Sequence, residues 1–143
     1  MERQQYYRAI SRIMKAGSHF VDQATQALKP FGITEPQYNV LRILDELEGQ
    51  PATVQHIQGQ MVKRSSNVTR IIDKLLEKDL VNREQDADNR RKVAILLTER
   101  GKTLLETLDE AVERTHDPTY ANVSHGDLVA LENLLDKLMG SSQ

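Results

Sequence analysis

The sequence SSNVTRIIDKLLEKDLV at residues 65–81 predicts an amphipathic helix that starts near Ser65 or Ser66. Its apolar residues recur at helical spacing and form one face, made of Val68, Ile71, Ile72, Leu75 and Leu76. The opposite face is polar and partly basic, and it holds Ser66, Asn67, Arg70, Asp73 and Lys74. The stretch therefore predicts a helix that packs through one side and presents hydrogen-bonding groups and cations on the other.

The segments on either side of this helix complete a small folding unit. Upstream, Thr53 can cap a short helix whose apolar side is Val54, Ile57 and Met61. Downstream, two strand-like runs, residues 80–84 and 93–97, are separated by the polar bend QDADNRRK. Two helices followed by a hairpin with a basic bend predict a winged helix-turn-helix. In that arrangement one helix enters the major groove of DNA and the hairpin reaches an adjacent minor groove.

The rest of the chain predicts four more helices. An apolar stripe over residues 7–28 indicates a long first helix, which ends before Pro30 and Gly32, and Thr34 can cap the second. Thr98 opens a fifth helix, and a sixth runs from about Ser124. The expected fold is mainly α with a small β-hairpin wing: six helices in a single domain, 1–143. Residues 33–98 would form the DNA-binding lobe, and residues 1–30 and 99–143 the dimerisation helices.

The terminal helices predict a two-fold homodimer. The first and last helices lie outside the helix–helix–hairpin unit, yet each keeps a long apolar stripe that a domain this small cannot easily bury alone. A symmetric dimer suits a pseudo-palindromic site with half-sites about one helical turn apart. The alternative is that the termini fold back as a bundle within one chain.

Length and composition exclude several classes of protein. With 143 residues, 38% of them hydrophobic, the chain fits one domain with a sizeable core. No apolar run approaches the roughly 20 residues that cross a bilayer, and the polar start MERQQYYRAISR does not resemble a secretion signal. The absence of cysteine excludes disulfides and thiol redox sensing. We therefore expect a cytoplasmic protein that does not contact membranes.

Charge is distributed unevenly along the chain. Residues 62–92 hold nine basic and six acidic residues, a balance of +3, although the whole chain carries −2. The remainder, with ten basic and fifteen acidic residues, carries −5. A local basic stripe can bind phosphates while the rest of the surface stays acidic. The asymmetry is modest and favours double-stranded DNA as a partner.

Three segments resemble the MarR family of transcription regulators. GITEPQYNVLRIL resembles the family's second helix, IQGQMVKRSSNVTRIIDKLLEKDLVNR its helix-turn-helix and wing entry, and DNRRKVAILLTERGKTLLETL its wing return and fifth helix. The resemblance implies a winged, dimeric regulator, expected to be a repressor whose DNA binding small molecules weaken. Two positions depart from the family pattern. Asp79 stands where a glycine usually follows the recognition helix, and Asn89 stands where an acid usually pairs with the residue matched by Arg91.

The residues expected to contact DNA lie on the fourth helix and the wing. Arginine reads guanine through two hydrogen bonds, asparagine can read adenine, and serine or lysine can bind phosphate. Exposed arginines of a wing can enter a narrow minor groove. The predicted DNA-binding set is Arg64, Ser65, Ser66, Asn67, Arg70, Lys74, Arg90, Arg91 and Lys92. The alternative for Arg70 and Lys74 is a solvated helix face paired with neighbouring charges.

A small anionic aromatic effector is the expected ligand. In the resembling family, effectors often lodge between the dimer helices and the DNA-binding lobe. The matching territory holds Arg12, Lys15, His19, Tyr38 and Arg42, although Tyr38 and His19 could equally be packed boundary residues. The histidines are scattered without the i, i+4 spacing that places two imidazoles on one helix face, so no metal site and no cofactor are expected.

Two other functions remain as alternatives. An enzyme is disfavoured because the sequence has neither a glycine-rich phosphate loop nor a nucleophile-elbow pattern, and Gly101 stands alone between Arg100 and Lys102. A protein-interaction module that has lost DNA affinity should show an apolar or acidic outer face on the fourth helix. The polar, basic face of that helix instead favours a DNA-binding regulator without catalytic activity.

Overall fold

The computed structural model describes residues 2–85 and 93–140 as a helical protein with one β-hairpin. Helix α1 (Glu2–Leu28) leads through a 3-10 helix (Lys29–Phe31) to α2 (Glu35–Glu46), α3 (Val54–Gln60) and α4 (Val68–Glu77). Strands β1 (Val81–Gln85) and β2 (Val93–Leu97) then pair, and α5 (Glu99–Arg114), α6 (Asp117–Tyr120) and α7 (His125–Met139) follow. None of the described helices combines the length and apolar character that a bilayer span requires.

Side-chain caps fix where most of these helices begin. Thr34 forms a capping box with Gln37 at α2, and the side chains of Thr53, Thr98 and Ser124 accept backbone N–H groups at α3, α5 and α7. Each cap satisfies a backbone donor that a helix N-terminus leaves without a partner. These boundaries confirm the sequence prediction for all four helices.

Two helix predictions need correction. The described residues contain seven α-helices instead of six, because residues 117–120 form the short helix α6. Pro118 lies in its first turn, where proline is tolerated because the missing N–H has no helical partner. Helix α4 begins at Val68 instead of near Ser65 or Ser66, because the Asn67 side chain accepts the Arg70 N–H and acts as the N-cap.

The hairpin is an antiparallel pair anchored to the helical lobe. Val81 pairs with Leu97 and Gln85 with Val93, so β1 starts one residue later than predicted. The other edge of β2 also has a partner: the Ile95 N–H donates to Ala52 O at 2.7 Å and the Ala52 N–H to Ile95 O at 3.1 Å. The base of the wing is therefore hydrogen-bonded on both sides.

The core lies between α2, α3, α4, α5 and the base of the hairpin. Its fully buried side chains include Leu41, Ile57, Ile72, Ile95 and Leu108. Helix α5 therefore belongs to the lobe's core as well as to the helices predicted for dimerisation. Helix α1 buries only its last residue, Leu28, which belongs to this core, and α7 buries none of its described residues.

The link between α4 and β1 turns sharply at Asp79. Its φ is 59°, in the left-handed region where glycine is usual and where Asn and Asp are the best-tolerated substitutes. Its N–H donates to Leu76 O at 3.0 Å, and Thr98 Oγ1 donates to its carbonyl at 2.7 Å. The left-handed cap expected from the sequence is therefore made by an aspartate.

Candidate nucleic-acid interface

The outer face of α4 is open to solvent. Thr69, Arg70, Asp73 and Lys74 are exposed, while Val68, Ile72 and Leu75 on the opposite face are buried. The structure thus presents the polar side of this helix away from the core, as the sequence predicted. A helix presented in this way has the width to enter a major groove.

The charged side chains of this face differ in whether they form ion pairs. Lys74 Nζ lies 3.6 Å from Glu77 Oε2, and Asp73 Oδ1 accepts a hydrogen bond of 3.0 Å from Arg83 of β1. In contrast, the Arg70 guanidinium has neither a hydrogen bond nor an ion pair within residues 2–85 and 93–140. Of the two cations on this face, only Lys74 is paired among the residues that the structure describes, so a ligand at Arg70 would break no described contact.

Asn67 is the N-cap of α4, whereas the sequence analysis expected the helix to start near Ser65 or Ser66. Its Oδ1 accepts the Arg70 N–H at 3.2 Å and caps α4. Reading adenine needs both the oxygen and the nitrogen of the carboxamide, so this cap competes with the predicted adenine contact. Sequence reasoning missed the cap because Ser65 and Ser66 are also good N-cap residues.

A groove of about 620 Å³ runs beside the start of α4. It contains Ser65, Ser66, Asn67, Arg70 and Lys74 of the predicted set, together with the N-terminal turn of α2. Its third cation is Lys63, which the prediction did not include although it lies beside Arg64 in the sequence KRSS. Three cations around one groove make a site suited to phosphate.

Glu35 lies near the edge of this cationic region. Burial raises the pKa of its carboxyl above the usual value, and the positive charge of Lys63 opposes that rise. Lys78 Nζ donates to the Gly32 carbonyl and, at 3.4 Å, to Gln37 Oε1. It ties the residue after α4 to the turn before α2 and to the first turn of α2.

The predicted wing contacts fall outside the described residues. Arg90, Arg91 and Lys92 belong to residues 86–92, between β1 and β2 in the sequence, and only the base of the hairpin is described. At that base, the 3.0 Å Arg83–Asp73 ion pair joins β1 to the outer face of α4. The base of the wing therefore contacts α4 through this ion pair as well as through the hydrophobic core.

Two of the predicted effector residues, Tyr38 and Arg42, bind the same carboxylate, that of Asp109. The Tyr38 hydroxyl donates to Asp109 Oδ1 at 2.6 Å, and Arg42 Nη1 donates to the same oxygen at 3.1 Å. Burial, followed by the hydrogen bond to Asp109, raises the pKa of Tyr38 to about 12. These contacts join α2 to α5, which fits the packed boundary reading of Tyr38.

The other three predicted effector residues lie on α1. Arg12 and Lys15 are exposed, and His19 lines a separate cleft of about 650 Å³ between α1 and the end of α5. Within the described part of the chain, Gln23 Oε1 in this cleft is buried without a hydrogen-bond partner. A ligand role for these five residues remains a prediction.

Comparison with known proteins agrees with this geometry. The model of the MarR family matches residues 33–93, from the start of α2 to the wing return. This segment, 61 of the 143 residues, is similar to the MarR family. It holds both the groove and Arg70.

Solved structures show the same fold over nearly the whole chain. A MarR-like regulator from Bacillus cereus is 16% identical, covers 98% of this chain and 99% of its own, and superposes with a TM-score of 0.80. A MarR variant from E. coli, complexed with operator DNA, is 23% identical over 91% and 93% of the two chains, with a TM-score of 0.76. BpsR from Bordetella bronchiseptica, whose DNA binding is regulated by 6-hydroxynicotinic acid, is 22% identical over 90% and 91%, with a TM-score of 0.75. At these identities the likeness establishes the winged-helix fold.

Proposed function

We propose that this chain is a MarR-family regulator: a cytoplasmic, non-catalytic repressor that binds a pseudo-palindromic operator in double-stranded DNA as a homodimer. Arg70, whose side chain has no partner among the described residues, lies on the exposed face of α4 beside the groove with Lys63 and Lys74, and this observation carries the proposal. Arginine is the side chain that most often specifies guanine in the major groove. The match of residues 33–93 to the MarR-family model and the DNA complex of the E. coli relative support the same reading.

The exposed apolar residues at both ends of the chain support the homodimer. Tyr7 and Met14 on α1 are 64% and 70% exposed, and Leu131 and Leu134 on α7 are 52% and 57% exposed. Contiguous apolar surface of this kind usually marks an interface. In the proposed dimer these faces are covered by the same helices of a second copy, which places two α4 helices in one particle.

The proposed regulation is a change in the separation of the two α4 helices. Successive major grooves on one side of DNA lie about 34–36 Å apart, so a ligand that alters the separation prevents both helices from docking. We propose a small anionic aromatic molecule as the effector. The regulation of BpsR by 6-hydroxynicotinic acid supports this class, and the cationic residues of α1 and α2 suit a carboxylate.

In vitro selection from a random duplex pool tests the DNA-binding proposal. The expected result is an enriched inverted repeat whose half-site centres are about 10 base pairs apart. Light scattering on the same preparation should give the mass of a dimer, twice the 16.3 kDa of one chain. If no sequence is enriched even at low salt, the chain is better explained as a protein-interaction module. A strictly monomeric particle contradicts the dimer.

A titration of the selected duplex with simple aromatic carboxylates tests the effector proposal. The expected result is a weaker apparent affinity for DNA as the ligand concentration rises, with no effect of aliphatic carboxylates of the same charge. Reciprocity requires that DNA weaken binding of the effective ligand by the same factor. Unchanged DNA affinity with every aromatic acid would contradict this effector class.

A further inference from the structure

Side-chain amides of two other helices hold the turn that precedes α4. This α3–α4 turn, residues 61–67, carries Lys63, Arg64 and Ser65. Gln58 Nε2 on α3 donates to the carbonyl oxygens of Arg64 at 2.8 Å and Ser66 at 3.0 Å. Its two N–H groups therefore join two points of the turn to one residue of the neighbouring helix.

The beginning of the turn is held from α2. Asn39 Oδ1 accepts the Val62 N–H at 2.9 Å, and the next residue back, Met61, is buried in the core. Within the turn, the Ser66 N–H donates to Lys63 O at 3.1 Å. Gln58 and Asn39 are both partly buried, so these bonds are made on the inner side of the turn.

The outer side of the same turn carries exposed groups of the candidate interface. Lys63, Arg64 and Ser65 are solvent-exposed, and Lys63 and Ser65 line the groove beside α4. If the Gln58 bonds were absent, the Arg64 and Ser66 carbonyls would be solvated and the backbone between them freer to move. Ordering such a segment on binding costs conformational entropy, which a segment ordered in advance does not lose.

We propose that Gln58 is a positioning residue for DNA recognition: it orders the α3–α4 turn before DNA arrives. The inference rests on the proposed DNA-binding function. Gln58 acts through the backbone of the turn, since both N–H groups of its amide are already used by the Arg64 and Ser66 carbonyls. The side chains it positions are those of the exposed basic sequence that follows Val62.

The variant Gln58→Met tests this role, because methionine keeps the length of the side chain and removes its donors. We expect about tenfold weaker binding of the selected duplex. The entropy cost of ordering the backbone of roughly one residue, which the unmodified protein meets on folding, would then be met on binding. Calorimetry should place the loss in a less favourable binding entropy. Amide exchange should accelerate over residues 62–67 of the free protein and remain unchanged in α5.

The matched control is Gln55→Met. Gln55 lies on the same helix, is exposed, and makes no side-chain hydrogen bond within the described chain. The Gln55→Met variant should therefore leave both the DNA affinity and the amide exchange rates unchanged. If Gln58→Met folds poorly, Asn39→Ser tests the other end of the turn. That variant should also bind the duplex more weakly and exchange the amides of residues 62–67 faster.

The possible outcomes separate the two proposals. If the unmodified protein binds duplex DNA and Gln58→Met binds it as tightly as Gln55→Met, the positioning role is wrong and DNA binding stands. A lower fraction of active protein with an unchanged Kd would show a merely structural role and would also overturn it. If the unmodified protein binds no duplex, both proposals fall.

Discussion

Replacing Gly101 with alanine should destabilise the protein, although the position is in a helix. A Cβ at Gly101 would lie 2.1 Å from the Leu80 carbonyl oxygen and 3.3 Å from Leu97 Cδ2. Ordinary contacts begin at 3.4 Å, so the start of α5 must move by about 1 Å or more. The carbonyl cannot yield easily, because it is backbone and accepts the Thr98 N–H at 3.1 Å.

The size of the effect follows from two opposing contributions. Forcing an extra methyl group into packed surroundings costs about 1–3 kcal/mol, and the higher helix propensity of alanine returns at most about 1 kcal/mol. Because the 2.1 Å approach is to a backbone atom, the cost lies in the upper part of that range, and the free energy of unfolding should fall by about 1–2 kcal/mol. For a domain of this size each kcal/mol corresponds to about 3 °C in Tm, so Tm should fall by about 3–6 °C.

Thermal unfolding followed by circular dichroism, at one fixed protein concentration, measures this difference. The matched control is Gly59→Ala on α3, where a Cβ meets nothing within 4 Å. That variant should gain up to about 1 kcal/mol from helix propensity, so its Tm should rise. A Tm for Gly101→Ala equal to or above that of the unmodified protein would refute the argument from close approach.

Three further predictions concern the interface and its support. Arg70→Ala should weaken operator binding by about 1–3 kcal/mol and relax selection at one base pair. Lys74→Ala should weaken binding less, because the Lys74 ammonium is already paired with Glu77. Equal losses of affinity in salt-controlled titrations would argue against this ranking. A double-mutant cycle on Asp73 and Arg83, followed by denaturant unfolding, should give a coupling of about 0.2–1 kcal/mol, and zero coupling would mean that this pair does not tie the wing to α4. The pKa of Tyr38 is raised from 10.0 to about 12 because the fold holds its neutral form. Its contribution to stability is therefore complete below pH 10.0 and is lost as the pH rises through about 12. Tyrosinate absorbance should show a late titration step near pH 12 that Tyr38→Phe removes, and a late step that persists in Tyr38→Phe would contradict it.

The sequence was most informative where periodicity and caps act locally. Thr34, Thr53, Thr98 and Ser124 were recognised as helix starts because an N-cap needs one side chain and one nearby backbone N–H. The buried face of α4 followed from spacing alone, and the structure confirms it. The left-handed Asp79 was anticipated from the MarR-family pattern.

Periodicity and cap patterns did not predict contacts between residues that are distant in the sequence. Tyr38 and Asp109 are 71 positions apart, and Gln58 reaches the turn beyond its own helix, so periodicity indicates neither bond. Choosing Asn67 over two adjacent serines as the cap also depended on how α4 meets the turn. Lys63 joined the groove because the turn folds beside α2, an arrangement that no helical pattern encodes.

The bridge between Ala52 and Ile95 has a consequence for how this lobe can change its reach. Since Ile95 is bonded to β1 on one side and to Ala52 on the other, the strand register near the helices is set independently of the bend at residues 86–92. Insertions or deletions in that bend should alter the span of the hairpin without refolding the lobe. We therefore expect that the length of residues 86–92 can change while the packing of the helices around α4 is kept.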